Sequence, residues 1–584
     1  MLTINIEKHK KLYACQTVCG ETFVVSPHLQ PKKFSGDTRL WAIDFEAKES
    51  VLYTAEKYEV KTKRGAFCVT FSDDVKQTHY ASLPDCDFQS NKIEIDVDGK
   101  KDFQNAVLNF YWKHLLPEIA ERSFMRKKKK WRDGYVLSTL EITKYAGTYP
   151  AVDHEFHIRG RMAMGGKAEI ELVRRMMLLQ IKTMLTDPSG KSRIPCAVQP
   201  NGKREYRVMR KSQNKKTKAQ MFTVTGITEL CEEMYNYFLL TKDKAFIENN
   251  IESVENGLEL LLSLIDENGR LYADVYYEDQ VMKNGAAAQA QAFAIHSLNC
   301  IASLEQMLDR GEKAEKYLRY SHLMQDNYTK PTPDGYWDND SKRYIDWVDK
   351  NGEIHDHVHL LANALSVTFG FNDDERNRLV NGAIKKHDVI FQKFPSFVAA
   401  KIEDYTPFEI GVGGPYDLCA AGRYWCHDAK YRRKIGDWHT IKNQLETVAE
   451  RASKENYDMG ERYDMNYVYY NTGKDAQKKW HGASRYYEYP NVFIDVLIHD
   501  FFGVLPHREA DLSIAPCCGE NTHLKMESFG IEINFKKNVF TLKNISQTAK
   551  KIHIDLSLLF DDFNDIIITA EPNQILTFKN KEEC

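Results

Sequence analysis

The chain has 584 residues and a formal net charge of −3, with 42% hydrophobic and 28% charged residues. This length exceeds what one ordinary hydrophobic core accommodates, so we expect two to four domains. The composition is typical of a folded globular protein, and the nearly neutral charge gives no reason to expect nucleic-acid binding. No run of about eighteen apolar residues occurs, so we expect no membrane-spanning helix and no membrane partner.

The first residues, MLTINIEKHKK, lack the apolar segment of a signal peptide. The twelve cysteines are scattered without regular spacing, which is typical of thiols that stay reduced. The adjacent pair Cys517 and Cys518 has no second pair nearby that would complete a metal site. These observations predict a cytoplasmic protein with no cofactor.

Four segments follow one another along the chain. Residues 1–115 contain short alternating apolar and polar runs, which predict an N-terminal β-sandwich. Residues 116–164 are a linker that leads into a helical domain. From 165 to 505, apolar residues recur at helical spacing. Residues 506–584 return to alternating strands and predict a small C-terminal β-domain.

The helical segments come in pairs, and loops rich in Gly, Pro, Asp, Trp and His separate them. This pattern favours a mainly α fold, an (α/α)6 toroid barrel in which six helical hairpins form a ring, flanked by the two β-domains. The basic segment 203–218 is interpreted as an exposed insertion near the rim of that barrel.

Two acidic and aromatic segments stand at the two ends of the helical domain. The first, YPAVDHEFHIRGRMAMG, carries Asp153, Glu155 and Arg159, and the second, GERYDMNYVYY, carries Glu461 among tyrosines. Hydrolysis of a glycosidic bond requires one acid and one base, and flat rings help to hold a sugar. We therefore predict one acid of the first segment, Asp153 or Glu155, as the proton donor and Glu461 as the base. The acids near Glu155 have a competing interpretation as stabilisers of a helix N-terminus.

Other loops carry side chains that suit sugar hydroxyls or sugar rings. The predicted substrate-binding residues are Asp153, Arg159, Asp274, Trp337, Asp346, Trp347, His357, Arg423, Trp425, Trp480 and His481. Asp153 and Glu488 are alternative catalytic residues, Glu488 as a rival base. Capping, packing or solvation remains the competing interpretation of each loop.

The histidines His355, His357 and His359, together with Asp356, resemble a set of metal ligands. On a helix, however, positions i, i+2 and i+4 do not share a face, and no remote fourth ligand is evident. Substrate binding, ordinary packing and metal binding all stay open for this run, and the expectation is no metal.

The layout resembles the six-hairpin glycosidases, and more closely the inverting α-L-rhamnosidase family. The segment VDHEFHIRGRMAMGG stands where the family has its Arg-Asp-Glu-Arg motif, and GERYDM stands where it has its Trp-Glu-Arg-Trp-type motif. The Gly-Trp and Gly-Asp elements that follow the family's first motif are missing here, leaving Gly160 and Gly165. The resemblance implies that Glu155 protonates the leaving oxygen and that Glu461 is the base. The sequence departs from the family at Phe156, where the motif has Arg, and at Tyr463, where it has Trp. The segment WDNDSKR is similar to the acid-bearing loop of trehalase-like relatives, which implies Asp338 as an alternative acid.

The expected function is an inverting exo-glycosidase that hydrolyses a terminal α-L-rhamnoside or related glycoside from an oligosaccharide or glycoconjugate. Its catalytic carboxyls would stand roughly 6.5–9.5 Å apart. The expected partner is this carbohydrate. Two alternatives stay open: a sugar epimerase or polysaccharide lyase on the same toroid, and a non-catalytic carbohydrate-binding relative.

Overall fold

A computed structural model describes most of the chain. It covers residues 93–115, 154–198, 204–206, 208–273, 278–464 and 486–579, and the backbone of short strands within 2–81 and 119–136. Among the predicted site residues, Asp153, Asp274, Trp480 and His481 lie outside the described residues.

Thirteen α-helices lie in the described part of the chain. They are α1 (Asp102–Phe110), α2 (His154–Met164), α3 (Lys167–Leu185), α4 (Thr225–Thr241), α5 (Lys244–Leu262), α6 (Ala288–Met307), α7 (Gly311–Thr329), α8 (Leu360–Thr368), α9 (Asp374–Lys385), α10 (Asp388–Phe391), α11 (Gly422–Lys434), α12 (Trp438–Lys454) and α13 (Glu488–Asp495). Short π-helical segments continue α1 and α13, over Tyr111–Leu115 and Val496–Phe501.

The strands are short and form several sheets. They are β1 (Leu2–Ile6), β2 (Tyr13–Gln16), β3 (Thr22–Val25), β4 (Leu40–Ile43), β5 (Glu49–Thr54), β6 (Tyr58–Lys63), β7 (Ala66–Phe71), β8 (Lys76–Ala81), β9 (Ile93–Val97), β10 (Ile119–Glu121), β11 (Gly134–Val136), β12 (Ala197–Val198), β13 (Arg204–Glu205), β14 (Val208–Lys211), β15 (Lys218–Met221), β16 (Gly285–Ala287), β17 (Trp337–Asp338), β18 (Arg343–Tyr344), β19 (Trp347–Asp349), β20 (Ile354–His355), β21 (Val504–Leu505), β22 (Leu512–Ile514), β23 (Thr522–Met526), β24 (Ile531–Lys536), β25 (Val539–Asn544), β26 (Lys550–Ile554), β27 (Ile566–Ala570) and β28 (Ile575–Lys579).

Six helices contact one another in a closed sequence. Helix α2 packs on α4, α4 on α6, α6 on α8, α8 on α11, α11 on α13, and α13 on α2 again. Helices α3, α5, α7, α9 and α12 each pack on the helix that precedes them in this series, and α1 packs on α12 and α13. The prediction of a helix-rich chain with several β-sheets is confirmed. None of the described helices has the length and apolar character needed to cross a bilayer.

Local sequence explains which helix faces are buried and where several helices begin. Helix α6 begins with alanines, and every residue of its first eight is buried, because small side chains allow close packing on both neighbours. Helix α12 buries Ile441, Leu445 and Val448 on one face, the spacing of a helix with one side on the core. Helices α5, α9 and α12 each begin after an aspartate whose side chain accepts a hydrogen bond from a backbone amide of the first turn.

Two larger sheets flank the helices in the sequence. Strands β2, β3, β4, β5 and β8 form one sheet, and β28, β25, β24, β23 and β9 form the other. In the second sheet β9 pairs antiparallel with β23, so Ile93–Val97 is hydrogen-bonded to strands from the other end of the chain. This strand lies inside residues 1–115, the predicted N-terminal β-sandwich. The four domain limits stay a prediction.

Helices α5 and α6 bring the carboxyls of Glu255 and Glu305 together. Glu255 forms an ion pair with Lys313 (Oε2 to Nζ 2.6 Å), whereas burial and the neighbouring Glu255 raise the pKa of Glu305 to about 8. The folded chain therefore holds a proton on Glu305 between about pH 5 and pH 8 that an unfolded chain releases.

Stability contributed by this proton is lost as the pH rises through that range, because the raised pKa favours the folded state only while Glu305 is protonated. We expect the thermal midpoint of the wild type to fall relative to that of Glu305→Gln from pH 5 to pH 8.5, in differential scanning calorimetry. Glu315→Gln, on an exposed position of α7, is the matched control. Parallel profiles for wild type and Glu305→Gln would contradict the prediction.

Candidate active site

The loops that precede α6, α8, α11 and α13 bring charged side chains together. Glu278, Asp279 and Lys283 come from the loop before α6, and Asp417 comes from the loop before α11. Glu461 comes from the loop after α12. Two clusters form here, one fully buried and one that reaches solvent.

The buried cluster is centred on Lys283, so we call it the Lys283 cluster. The Lys283 ammonium donates to Glu278 (Oε1, 2.9 Å) and to Asp346 (Oδ1, 2.7 Å), and Tyr405 donates to the other oxygen of Asp346 at 2.9 Å. His359 Nε2 lies 2.7 Å from Glu278 Oε1. Burial alone would raise the pKa of Glu278, but Lys283 and His359 outweigh it and lower that pKa to about 2. Asp346, predicted to bind substrate, is therefore held by protein partners.

The second cluster, the Arg462 cluster, consists of Asp279, Asp417, Glu461 and Arg462. Asp279 and Asp417 share a hydrogen bond, and Arg210 Nη2 donates to Asp279 Oδ2 at 3.0 Å. Burial and the charge of Asp279 raise the pKa of Asp417 well above its usual range. Burial opposes ionisation of Asp279 too, but Arg210 and the hydrogen bond from Asp417 lower its pKa. The surroundings therefore favour the ionised form at Asp279 and the protonated form at Asp417.

Arg462 links Glu461 to this pair. Its Nη2 atom lies 3.0 Å from Asp417 Oδ1 and 3.5 Å from Glu461 Oε1. The side chain of Glu461 is 16% exposed and that of Asp279 is 24% exposed, whereas Asp417 is buried. Glu461 and Asp279 are thus accessible to a ligand, whereas Asp417 is not.

Glu488, the predicted rival base, is buried between two guanidinium groups. Arg423 Nε donates to its Oε1 at 2.8 Å, and Arg462 Nη1 lies 3.3 Å from both oxygens. Burial would raise the pKa of Glu488, but the two arginines outweigh it and lower that pKa. Arg423, predicted to bind substrate, is engaged in this ion pair.

The tryptophans predicted to hold sugar have protein partners. Trp347 is stacked on His355 with ring centroids 3.7 Å apart, and Trp337 faces the Arg376 guanidinium at 4.7 Å. Trp425 is fully buried and donates to Gln444 at 3.0 Å. Asp338, the alternative acid, accepts from the backbone amide of Ser341 at 2.8 Å.

Glu155 lies in other surroundings. It belongs to the first turn of α2. It is buried and accepts from Arg159 Nε at 2.6 Å, and Arg159 also donates to Glu232 at 2.6 Å. These three residues line a cavity together with Lys430 and Pro506 among others. Pro506 follows α13 in the chain, whereas Glu461 precedes that helix. No residue is shared between the contacts described here for Glu155 and those described for Glu461.

Sequence reasoning did not select Asp417, Arg462 or Arg210 as site residues. Asp417 follows the turn GVGGPY, and Arg462 directly follows Glu461. Arg210 comes from the β14–β15 hairpin, in the basic segment interpreted as an insertion near the rim. The sequence signal that could have indicated this contact is the opposite charge of that basic segment and of the acids in the loop before α6.

A scan of protein families finds no match to this sequence, and no curated protein matches it. Comparison of the fold with solved structures does find similar proteins. The GH78 family rhamnosidase of Bacillus sp. GL1 is 13% identical with a TM-score of 0.50, over 92% of this chain and 49% of that one. The α-L-rhamnosidase from Dictyoglumus thermophilum is 9% identical with a TM-score of 0.53, over 98% of this chain and 60% of that one.

A third solved structure, the Streptomyces avermitilis α-L-rhamnosidase complexed with L-rhamnose, is 10% identical with a TM-score of 0.51, over 88% of this chain and 45% of that one. The chain spans about half the length of these three proteins. The resemblance to six-hairpin glycosidases and α-L-rhamnosidases that the motifs indicated is confirmed at the level of the fold.

Proposed function

We propose that this protein is an inverting exo-glycosidase that removes a terminal α-L-rhamnoside, or a related sugar, from an oligosaccharide or glycoconjugate. The observation that carries the proposal is the Arg462 cluster, in which Asp279, Asp417 and Glu461 meet in loops of a fold shared with α-L-rhamnosidases. The Asp279–Asp417 pair of this cluster offers a candidate acid and Glu461 offers a separate candidate base, and hydrolysis of a glycosidic bond requires one of each.

The proposed architecture is an (α/α)6 toroid between an N-terminal β-sandwich and a C-terminal β-domain. The closed sequence of contacts from α2 through α13 supports the ring of inner helices, and the helices paired with each of them support an outer layer. The strands β1–β8 and β21–β28 support the two β-domains. On this architecture the Arg462 cluster lies in the loops that lead into the inner helices.

In the proposed reaction Glu461 is the base. It is partly exposed, and Arg462 at 3.5 Å favours its ionised form. Glu461 takes a proton from water as the water oxygen attacks the anomeric carbon, while the bond from that carbon to the leaving oxygen breaks. The leaving oxygen receives a proton from a carboxylic acid, and the sugar leaves as a hemiacetal of inverted configuration.

The proton donor has two candidates. The family resemblance implies Glu155, which the structure describes as an acid of α2 paired with Arg159. The geometry favours the Asp279–Asp417 pair, because burial and the neighbouring Asp279 keep Asp417 protonated by raising its pKa. Asp279 is the more exposed member, so Asp417 passes its proton to Asp279, which donates it to the leaving oxygen and leaves Asp417 ionised.

The test of the function is hydrolysis of a panel of p-nitrophenyl glycosides, with proton NMR of the first sugar product. We expect phenol release from the α-L-rhamnoside or a related sugar, and a first product whose anomeric configuration is opposite to that of the substrate. Retained configuration would overturn the inverting mechanism. A product with a new double bond, seen by ultraviolet absorbance, would indicate a lyase, and sugar binding without release would indicate a binding protein.

The donor is identified with leaving groups of different basicity. Removing a general acid slows substrates with poor leaving groups far more than activated aryl glycosides. Asp279→Asn and Asp417→Asn are expected to lose most activity on a natural disaccharide and little on a dinitrophenyl glycoside. The same signature in Glu155→Gln or Asp338→Asn, and not in these two, would move the donor there. Glu403→Gln, at an exposed position, is the control.

A further inference from the structure

Three side chains outside the Arg462 cluster converge on one point. His355 Nδ1 lies 3.0 Å from Glu409 Oε1, and His357 Nε2 lies 2.7 Å from the same oxygen. The two nitrogens and the carboxylate oxygen all lie within 4.8 Å of one another. Nitrogen from two imidazoles and oxygen from one carboxylate form a common ligand set for first-row transition metal ions.

Each of the three ligands is held by a second contact. The His355 ring is stacked on Trp347 at 3.7 Å between centroids, and the His357 ring on Tyr405 at 3.8 Å. The second oxygen of Glu409 accepts from the backbone amide of Thr406 at 2.9 Å and from its hydroxyl at 3.0 Å. Contacts of this kind orient metal ligands before the ion binds, so the ligand side chains lose little conformational freedom on binding.

The ligand atoms lie close enough together to share one ion. With metal–nitrogen and metal–oxygen bonds of about 2.0–2.2 Å, neighbouring ligands of a tetrahedral ion stand about 3.3–3.6 Å apart. The two observed separations, 3.0 and 2.7 Å, are shorter hydrogen-bonding distances, which small rotations of the side chains would widen to admit an ion. The side chains of His355, His357 and Glu409 are 17%, 12% and 4% exposed, so solvent and an ion have access to the site.

The local charge favours a cation. The Glu409 carboxylate lies within hydrogen-bonding distance of both imidazoles. Carboxylate oxygens of Asp349 and Glu353 also lie within 4.8 Å of His355. Three acidic side chains therefore lie around His355.

The backbone conformation allows His355 and His357 to share one site. His355 ends β20, and α8 begins only at Leu360, so these histidines do not lie on a helix as the sequence-based objection to a shared site assumed. Residues two apart in an extended segment lie on the same side, which brings His355 and His357 to Glu409. His359 instead contacts Glu278 in the Lys283 cluster.

We propose that His355, His357 and Glu409 bind a divalent first-row transition metal ion, Zn²⁺ or Co²⁺, with water completing its coordination. Each imidazole would bind the ion through the nitrogen that faces Glu409 and carry its N–H on the other ring nitrogen. Tyr405, stacked on His357 and bonded to Asp346, connects the site to the Lys283 cluster. The proposal goes beyond the glycosidase function and does not rest on it.

The test uses the full chain without a histidine tag, stripped with EDTA and desalted. Co²⁺ is titrated by visible absorbance and Zn²⁺ by calorimetry. We expect one ion per chain in the wild type, with at least about 100-fold weaker binding in His355→Ala, His357→Ala and Glu409→Gln. His322→Ala, an exposed histidine of α7, should bind like the wild type.

Folding of each variant is checked by circular dichroism, and His355→Gln and His357→Gln replace any alanine variant that fails to fold. Zn²⁺ should also raise the thermal midpoint of the wild type and leave that of the His355 and His357 variants unchanged. Absence of stoichiometric binding in the wild type, or equal binding by a folded double variant of His355 and His357, would overturn the proposal.

Discussion

Replacing Glu461 by Gln is expected to lower kcat by about 10²–10⁴-fold with the fold retained. The amide has the shape of the carboxylate but cannot take a proton from water, so the step that activates the nucleophile is lost. Glu461 is partly exposed, and Arg462 keeps Asp417 and Glu488 as partners in the variant, so we expect the fold to be retained. Steady-state kinetics on the best aryl glycoside of the panel measures kcat and KM, and we expect KM to change far less than kcat.

Two variants make this result specific. Glu403→Gln removes an exposed carboxylate and should leave kcat unchanged. Glu488→Gln removes the charge between Arg423 and Arg462, so its main effect should be a lower thermal midpoint. Near-normal turnover in Glu461→Gln would reject Glu461 as the base, and a folded Glu488→Gln that is inactive would move that role to Glu488.

Periodic patterns predicted the helical part of the chain well, because they report contacts between neighbours on one face. The segment IKNQLETVAERAS lies inside α12, and IESVENGLELLLSLI overlaps most of α5. The strands β24 and β25 lie in the alternating segment IEINFKKNVFTLKN. In each case the side chains that define the pattern are also the ones that face the core.

The site was harder to predict, since its contacts join residues far apart in the sequence. Arg462 meets Asp417 and Glu488, which are 45 and 26 positions away. Arg210 reaches Asp279 from a hairpin 69 positions earlier. A carboxylate next to tyrosines indicates a polar pocket, but its partners depend on how the helices pack. The tryptophans illustrate the same limit, because a buried indole such as Trp425 and one that holds a sugar look alike in sequence.

The second large effect is expected in the Lys283 cluster. Replacing Lys283 by Met should lower the free energy of unfolding by about 3–5 kcal/mol, since it leaves Glu278 and Asp346 buried without their cation. Chemical denaturation followed by the helical circular dichroism signal measures this loss. Lys316→Met breaks an ion pair with Glu259 that is largely exposed, so it should change stability by less than about 1 kcal/mol.

A triple variant separates the lost charge from lost packing. Adding Glu278→Gln and Asp346→Asn to Lys283→Met removes both stranded charges, and we expect it to recover much of the lost stability. His359 and Tyr405 keep hydrogen-bonding partners in that variant, because amides accept as well as donate. A loss as large in the triple variant as in Lys283→Met would show that the Lys283 side chain stabilises the loops through its packing, and the electrostatic account of this cluster would then be wrong.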